Sequence, residues 1–318
     1  RRRDRRKARL ESLKEQISVS TAPGPAGAPY ECSFDGKLES NFTRESYIKA
    51  VLKAKKYIRK GDIYQVNLSQ RFSVKLGRDP WDLYGILREI NPAPFASFLN
   101  FGEIKVVSAS PERFLRIKGR HIETRPIKGT RPRGKTPDED ARLRKDLTSS
   151  EKDRAENLMI IDLERNDLGR VSEYGSVRVR EFMSCEEYAT VFHLTSSVEG
   201  RLRKNIDSMD CFMNCFPGGS ITGAPKIRSM EIIEELEPVK RGIYTGSIGY
   251  IAFNGNIDTS IVIRTLVIKG NDAYFHVGGG IVQDSDPIRE YQETLDKARA
   301  LREALAIAEN HENCVSKQ

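Results

Sequence analysis

The chain has 318 residues, of which 38% are hydrophobic and 31% charged, a composition typical of a globular protein and unlike that of fibrous or disordered chains. Its formal net charge is +8, but residues 1–10 hold seven Arg or Lys and one Asp, so the remainder is nearly neutral. No apolar run reaches the ~18 residues that span a bilayer, and the N-terminus lacks the apolar stretch of a secretory signal. We therefore expect a soluble cytoplasmic protein that binds neither membranes nor nucleic acid.

In chain order, we predict a basic N-terminal segment over residues 1–18, a linker rich in Pro and Gly over 19–40, one folded domain over 41–310 and a tail over 311–318. Helical spacing of apolar residues, or a typical helix boundary, predicts helices over Thr43–Lys60, Pro80–Ile90, Asp138–Leu147, Glu151–Leu168, Pro225–Leu236 and Pro287–Ala308.

Strand patterns cover Tyr64–Val74, Phe95–Phe101, Ile104–Ser110, Arg113–Ile117, His121–Arg125, Val177–Phe182 and Thr190–Glu199. From Tyr244 to Val282 the pattern predicts two hairpins in series, the first with its turn at Asn254-Gly255. Strands in antiparallel runs, with helices inserted in blocks, predict an α+β fold. The five scattered cysteines form no CxxC pair, so we expect free thiols.

One lysine stands in a segment that looks suited to chemistry. Lys128 lies in a Pro-Ile-Lys-Gly-Thr stretch, predicted as a loop, in which Pro126 and Gly129 restrict the backbone. A partly desolvated lysine is a candidate nucleophile, and Glu112, before the preceding hairpin, is a candidate proton partner. On the pattern alone, an exposed lysine and a surface glutamate remain the alternative.

Acidic residues are frequent on the helix predicted over Glu151–Leu168, which carries Glu156, Asp162, Glu164 and Asp167. They form either a solvated face paired with neighbouring arginines or part of a Mg²⁺ site, because this ion prefers carboxylate oxygens. Glu290 and Glu293 are three residues apart on the last predicted helix, so they share a face and could complete such a site.

Two glycine-rich segments suggest close approach of a ligand to the backbone. The sequence PGGSITGAPK leads into the helix at Pro225, and free amides at a helix start bind anions. It lacks the spacing of a nucleotide-binding P-loop, so we expect the ligand to be a carboxylate. Gly278, Gly279 and Gly280 are consecutive within a predicted strand.

Taken together, these segments resemble one enzyme family. The motifs SPERF, TRPIKGT, LMIIDLERNDLGR, PGGSITGAPK, YTGSIGY, IRT and GGGIVQDSDPIREYQET follow the order seen in the chorismate-utilising enzymes, over roughly residues 43–306. The resemblance implies antiparallel β-sheets packed as a sandwich with helices outside. Because members of the family carry a longer N-terminal segment, we expect the N-terminal part of the sandwich to be missing here.

Two positions distinguish branches of this family. The isochorismate and salicylate synthases have a water-activating lysine where this chain has Gln65, and anthranilate synthases typically have alanine in place of Lys128. Lysine there resembles the aminodeoxychorismate synthase branch, which converts chorismate and ammonia to 4-amino-4-deoxychorismate. An anthranilate synthase with an atypical loop is the second interpretation, and a non-catalytic basic binding module or inactive fragment is the third.

The resemblance also implies roles for individual residues. Lys128 would be the nucleophile, Glu112 would transfer protons and His193 would lie beside the substrate. Mg²⁺ would be held by Glu156, Glu290 and Glu293, and a glutamine amidotransferase subunit would supply the ammonia. Residues expected to bind chorismate are Gly129, Thr130, Thr222, Gly223, Ala224, Tyr250 (with Tyr244 as the alternative tyrosine), Arg264, Gly278, Gly279, Gly280 and Lys297.

Overall fold

A computed structural model describes residues 5, 9, 11, 12, 14, 38–188 and 191–315, with side chains up to residue 309. The chain divides into two units, Arg1–Cys32 and Ser33–Gln318. In the first unit the described residues are helical, and Lys14 Nζ lies 3.2 Å from Glu11 Oε1. Most of the linker predicted over 19–40 lies outside the described residues, as do the last three positions of the predicted tail.

In the described part of the second unit, the helices are α1 (Arg44–Arg59), α2 (Pro80–Ile90), α3 (Pro137–Ser149), α4 (Glu151–Gly169), α5 (Ser208–Cys215), α6 (Lys226–Leu236) and α7 (Pro287–Val315), with a 3₁₀ turn at Gly219–Ile221. The strands are β1 (Glu39–Ser40), β2 (Gln65–Lys75), β3 (Phe95–Phe101), β4 (Ile104–Ser110), β5 (Arg113–Lys118), β6 (His121–Arg125), β7 (Ile127–Pro132), β8 (Arg178–Glu187), β9 (Val191–Arg201), β10 (Gly223–Ala224), β11 (Ser247–Ile251), β12 (Ile257–Ile261), β13 (Thr265–Lys269) and β14 (Asp272–Ile281).

These strands form two sheets in which every pairing is antiparallel. The first sheet has the order β1-β2-β14-β13-β4-β3, and β10 also pairs with β2. The second has the order β11-β12-β5-β6-β9-β7, and β8 also pairs with β9. Antiparallel sheets combined with helices inserted between runs of strands confirm the predicted α+β class.

Each sheet buries an apolar face against helices. Leu83 of α2 and Leu301 of α7 pack on Leu266 and Phe275 of the first sheet. Ile161 of α4 and residues of α5 pack on the second sheet around Ile117. Burial of such side chains contributes roughly 1.5–3 kcal/mol each, so both sheets depend on the helices that cover them.

Local sequence signals set the ends of the helices. Thr43 and Ser46 form a reciprocal capping box at the start of α1, and each satisfies a backbone amide that the helix leaves unpaired. The side chain of Ser150 accepts a hydrogen bond from the Asp153 amide at the start of α4. This cap marks the point at which α3 ends and α4 begins.

Most predicted elements are confirmed, and the exceptions concern either long-range strand pairing or a short helix. The Pro-Ile-Lys-Gly-Thr stretch predicted as a loop belongs to β7, which pairs with β9 through an irregular register between Ile127 and Thr130. The stretch Ile257–Lys269 is two strands, because β12 joins the second sheet and β13 the first. Helix α5 was not predicted, since its eight residues are too short for a clear periodic pattern.

Within the described residues, no helix combines the length and hydropathy needed to cross a membrane. Three of the five cysteines, Cys185, Cys211 and Cys215, have described side chains and are free thiols, as predicted.

Candidate active site

The candidate site forms where the chain passes twice between the two sheets. One crossing joins β4 to β5 and contains Glu112; the other joins β12 to β13 and contains Arg264. Ser110 Oγ donates to the Ile261 carbonyl (2.6 Å), and the Ile261 amide donates to the Glu112 carbonyl (3.0 Å). The two crossings are therefore bonded side by side, which brings Glu112 and Arg264 close together although they are far apart in sequence.

Lys128 and Glu112, the predicted catalytic pair, meet at a third residue, Ser220. The Ser220 hydroxyl donates to Glu112 Oε1 (3.0 Å), and Lys128 Nζ donates to the Ser220 carbonyl (3.3 Å). Only 6% of Glu112 is exposed. Burial raises its pKa, while the positive charge of Lys128 and the hydrogen bond from Ser220 act in the opposite direction. A carboxyl group whose pKa is raised by burial is suited to proton transfer near neutral pH.

His193 lies on the partner strand of β7. Its Nδ1 is 2.9 Å from the hydroxyl of Thr130, the residue opposite it in the strand register. Burial and the positive charge of Arg264 lower the pKa of His193 to about 4, so the imidazole is neutral at physiological pH. His193 can therefore act as a neutral hydrogen-bonding group or as an acceptor of a proton.

The three predicted metal ligands come from two helices, Glu156 from α4 and Glu290 and Glu293 from α7. Burial raises the pKa of both Glu156 and Glu290, and the charge of Glu293 raises both further. The pKa of Glu293 itself is lowered, chiefly by Lys297, whose Nζ lies 2.7 Å away. The charge of Lys128 also acts on Glu156 and Glu293, so these carboxylates and the candidate nucleophile belong to one electrostatic site.

The donor set is chemically suited to Mg²⁺, which typically takes one or two protein carboxylates together with oxygens from substrate and water. Within the part of the chain that the structure describes, however, no three His, Cys, Asp or Glu side chains form a ready-made metal cluster. Lysines currently accompany two of the carboxylates, Lys297 beside Glu293 and Lys152 at 3.7 Å from Glu156. Binding of Mg²⁺ by these three carboxylates therefore stays a prediction.

Two of the predicted substrate-binding glycines lie close to side chains of neighbouring helices. Gly129, next to the candidate nucleophile, has φ +86°, and a Cβ there would lie 2.9 Å from Leu147 Cδ1. At Gly279 a Cβ would lie 3.3 Å from a Glu290 oxygen and 3.4 Å from a Glu293 oxygen. Because position 279 is glycine, no side chain fills the space between the backbone of β14 and these two carboxylates, and a ligand can approach the backbone there.

The other predicted substrate contacts lie on the elements around this site. Gly278 accepts a hydrogen bond from Lys297 Nζ (3.0 Å), Thr222 is buried with its hydroxyl donating to Gly218 (2.9 Å), and Gly280 follows Gly279 on β14. Gly223 and Ala224 form β10 on the edge of β2.

Of the two candidate tyrosines, Tyr250 is 62% exposed on β11, whereas Tyr244 is buried and stacks on His276, with ring centroids 4.9 Å apart.

Sequence reasoning missed the residues beneath the site. Ser220 carried no signal beyond its place in a glycine-rich loop. Glu164 and Asp167 had been weighed as members of a solvated or metal-binding face, but both are buried. Asp167 pairs with Lys226 Nζ at 2.7 Å, and this ion pair fixes the glycine-rich loop to α4. The one sequence signal for this ion pair was Lys226 at the start of α6. A positive charge is unfavourable at a helix N-terminus, so a lysine there is expected to have an acidic partner.

Comparison with known proteins identifies the family to which the chain is similar. A family model described as chorismate binding enzyme matches residues 2–303. Among curated relatives, anthranilate synthase component 1 of Aquifex aeolicus is 52% identical over 270 residues, covering 85% of this chain and 55% of the relative. Aminodeoxychorismate synthase component 1 of Bacillus subtilis is 47% identical over 295 residues, covering 93% and 63%.

Among solved structures, anthranilate synthase component I from Streptococcus pneumoniae matches with a TM-score of 0.80 and 38% identity, covering 93% of this chain and 65% of that one. The chain therefore spans between 55% and 65% of the length of these three relatives.

Proposed function

The chain belongs to the chorismate-binding enzyme family, and from this premise we propose that it catalyses amination of chorismate to 4-amino-4-deoxychorismate. The observation that carries the proposal is the contact of Lys128 and Glu112 with one residue, Ser220, while the charge of Lys128 also acts on the carboxylates of Glu156 and Glu293. An amine held beside a buried carboxyl group can act as a nucleophile that exchanges protons with it.

In the proposed reaction, Lys128 Nζ forms a bond to C2 of the chorismate ring as the C4–O bond breaks. Glu112 protonates the departing hydroxyl, which leaves as water, and then accepts the proton that the lysine nitrogen loses. Ammonia then forms a bond to C4 as the C2–N bond breaks; Glu112 protonates the departing lysine nitrogen and takes up the extra proton of the added nitrogen, which restores both residues. The sum is chorismate plus ammonia giving 4-amino-4-deoxychorismate plus water, so atoms and charges balance.

Surrounding groups would hold the substrate for these steps. Arg264 offers a planar guanidinium that matches a carboxylate with two hydrogen bonds, and it lies beside both Glu112 and His193. Mg²⁺ held by Glu156, Glu290 and Glu293 would supply charge neutralisation of the ring carboxylate. A glutamine amidotransferase subunit is proposed as the source of ammonia, in the cytoplasm.

Anthranilate synthesis is the second candidate, because relatives named anthranilate synthase component 1 are as similar to this chain as the aminodeoxychorismate synthase is. Lys128 favours the first candidate, since a nucleophilic side chain offers a covalent route that an alanine at the same position could not.

The test is to incubate the chain with chorismate, Mg²⁺ and an ammonium salt and to identify the product by mass and fluorescence. The proposal predicts 4-amino-4-deoxychorismate from the wild-type chain and a loss of it in Lys128→Ala. Anthranilate, which is aromatic and fluorescent, would instead establish the second candidate. Lys145→Ala, on α3, is the matched control and retains the wild-type product.

A further inference from the structure

Ser220 has each of its polar groups committed to a different neighbour. Its hydroxyl donates to Glu112 Oε1 at 3.0 Å, its carbonyl accepts from Lys128 Nζ at 3.3 Å, and its amide acts on the carboxyl group of Glu164, whose pKa it lowers. Only 1% of the residue is exposed, so water does not compete for these bonds. No other residue in the described part of the chain bonds to both Glu112 and Lys128.

The backbone that carries Ser220 is fixed on the side away from the site. Gly219 packs so tightly on α4 that a Cβ there would lie 2.5 Å from Leu163 Cγ. Beyond it, the Asp167–Lys226 ion pair holds the end of the loop, and Lys226 also donates to the Cys215 carbonyl at 3.0 Å. A serine on such a rigid support offers its hydroxyl in one place, which is the condition for positioning a partner.

We propose that Ser220 is a positioning residue of the active site, whose hydroxyl orients the Glu112 carboxyl group toward Lys128. The catalytic part of this inference rests on the proposed function. The part that concerns the orientation of Glu112 rests on the hydrogen bonds of Ser220 alone. The Ser220 hydroxyl acts through Glu112, to which it donates its hydrogen bond, and this role needs no contact with the substrate.

The proposal predicts how Ser220→Ala alters Glu112. A hydrogen bond donated to a carboxylate stabilises the charged form, so its loss raises the pKa of Glu112. The other charged groups that face this carboxyl are unchanged by the substitution: Lys128 from β7, Arg264 from the β12–β13 crossing, Lys297 from α7 and Glu164 from α4. A shift in the titration therefore reports the missing hydroxyl.

The experiment is ¹³C NMR titration of the full chain labelled at glutamate carboxyls, with the Glu112 signal assigned by its absence in Glu112→Gln. The expected result is a higher Glu112 midpoint in Ser220→Ala and recovery of the wild-type midpoint in Ser220→Thr, which keeps the hydroxyl. Ser260→Ala is the matched control, because Ser260 is equally buried and its hydroxyl donates to the Ile248 carbonyl at 3.2 Å. In Ser260→Ala the Glu112 midpoint remains that of the wild type.

Kinetics on the same proteins supply a second readout. Ser220→Ala lowers kcat by roughly ten- to a hundredfold, part of the ~10²–10⁴-fold that general acid–base catalysis contributes, with KM nearly unchanged and the pH profile of kcat/KM displaced with the Glu112 midpoint. An unchanged midpoint in Ser220→Ala overturns the inference whether or not the chain consumes chorismate. Absence of product from the wild-type chain refutes the proposed function and leaves the titration result to decide the inference.

Discussion

Glu164 provides a test of the buried side of the site through the pH dependence of stability. Burial and the neighbouring charge of Asp167 raise its pKa from 4.5 to about 8. The unfolded chain releases this proton near pH 4.5, whereas the folded chain keeps it until about pH 8. A raised carboxyl pKa therefore stabilises the fold most below pH 4.5, and the stabilisation is lost as the pH rises toward 8.

The size of the effect follows from this window. Each pH unit in which only the folded state holds the proton is worth about 1.4 kcal/mol, so the contribution of Glu164 falls by roughly 3 kcal/mol between pH 4.5 and 7. Glu164→Gln keeps the shape and the oxygen that accepts the Ser220 amide, but it cannot ionise. We expect the variant to lose this part of the pH dependence.

The assay is urea unfolding of both proteins at about one-unit steps from about pH 5 to pH 8. As the pH rises, the free energy of unfolding of Glu164→Gln should increase relative to that of the wild type by roughly 1 kcal/mol per pH unit. Glu103→Gln, on the exposed β3–β4 turn, is the matched control and should run parallel to the wild type. Parallel curves for Glu164→Gln would refute the reasoning, because they would mean that the folded chain releases this proton near its ordinary pH.

Three further predictions concern other parts of the site. Asp167→Asn should lower the free energy of unfolding by about 3 kcal/mol or more, because it leaves a buried ammonium group without its charged partner; urea unfolding measures this. Gly129→Ala should destabilise the chain by more than the ~1 kcal/mol expected for a positive φ alone, because a Cβ would lie 2.9 Å from a neighbouring methyl group; thermal unfolding measures this. His193 has a pKa lowered to about 4, so its ring resonances in a ¹H–¹⁵N NMR titration should show a neutral imidazole from about pH 5 upward.

Each of these has a matched comparison. Asp162→Asn breaks only an exposed ion pair with Arg165 and should change stability by less than about 0.5 kcal/mol; an equal loss in Asp167→Asn would contradict the buried pairing. Gly119 also has a positive φ, +61°, but nothing lies within 4 Å of a Cβ there; Gly119→Ala should cost less than Gly129→Ala. A His193 midpoint near 6.5, its ordinary value, would contradict the burial of the imidazole.

Local patterns in the sequence were sufficient for most secondary structure. The capping residues and apolar spacing of α1 are readable within a single element, and runs of strands joined by short connections indicate antiparallel pairing. Which sheet a strand joins is decided by distant partners. The break between β12 and β13 at Arg264, where φ is +50°, has no local signature, since arginine rarely adopts this conformation.

The candidate site shows the same division. Motif resemblance identified Lys128 and Glu112, and the structure brings both to Ser220. The role proposed for Ser220 could not be predicted, because its partners are distant in sequence. Lys128 is 92 positions away from it and Glu112 is 108 positions away. Burial of Glu164 was missed because helical spacing does not reveal which faces of α4 are covered by a loop.

The most direct test of the central claim is to look for a covalent bond between Lys128 and the substrate. The chain is incubated with chorismate and Mg²⁺ without ammonia, quenched and digested, and the peptides are analysed by mass spectrometry. We predict that the peptide containing Lys128 gains the mass of chorismate less one water, and that adding ammonia before the quench removes this adduct and yields 4-amino-4-deoxychorismate. Formation of that product by a Lys128→Ala chain at the wild-type rate would contradict a covalent role for Lys128.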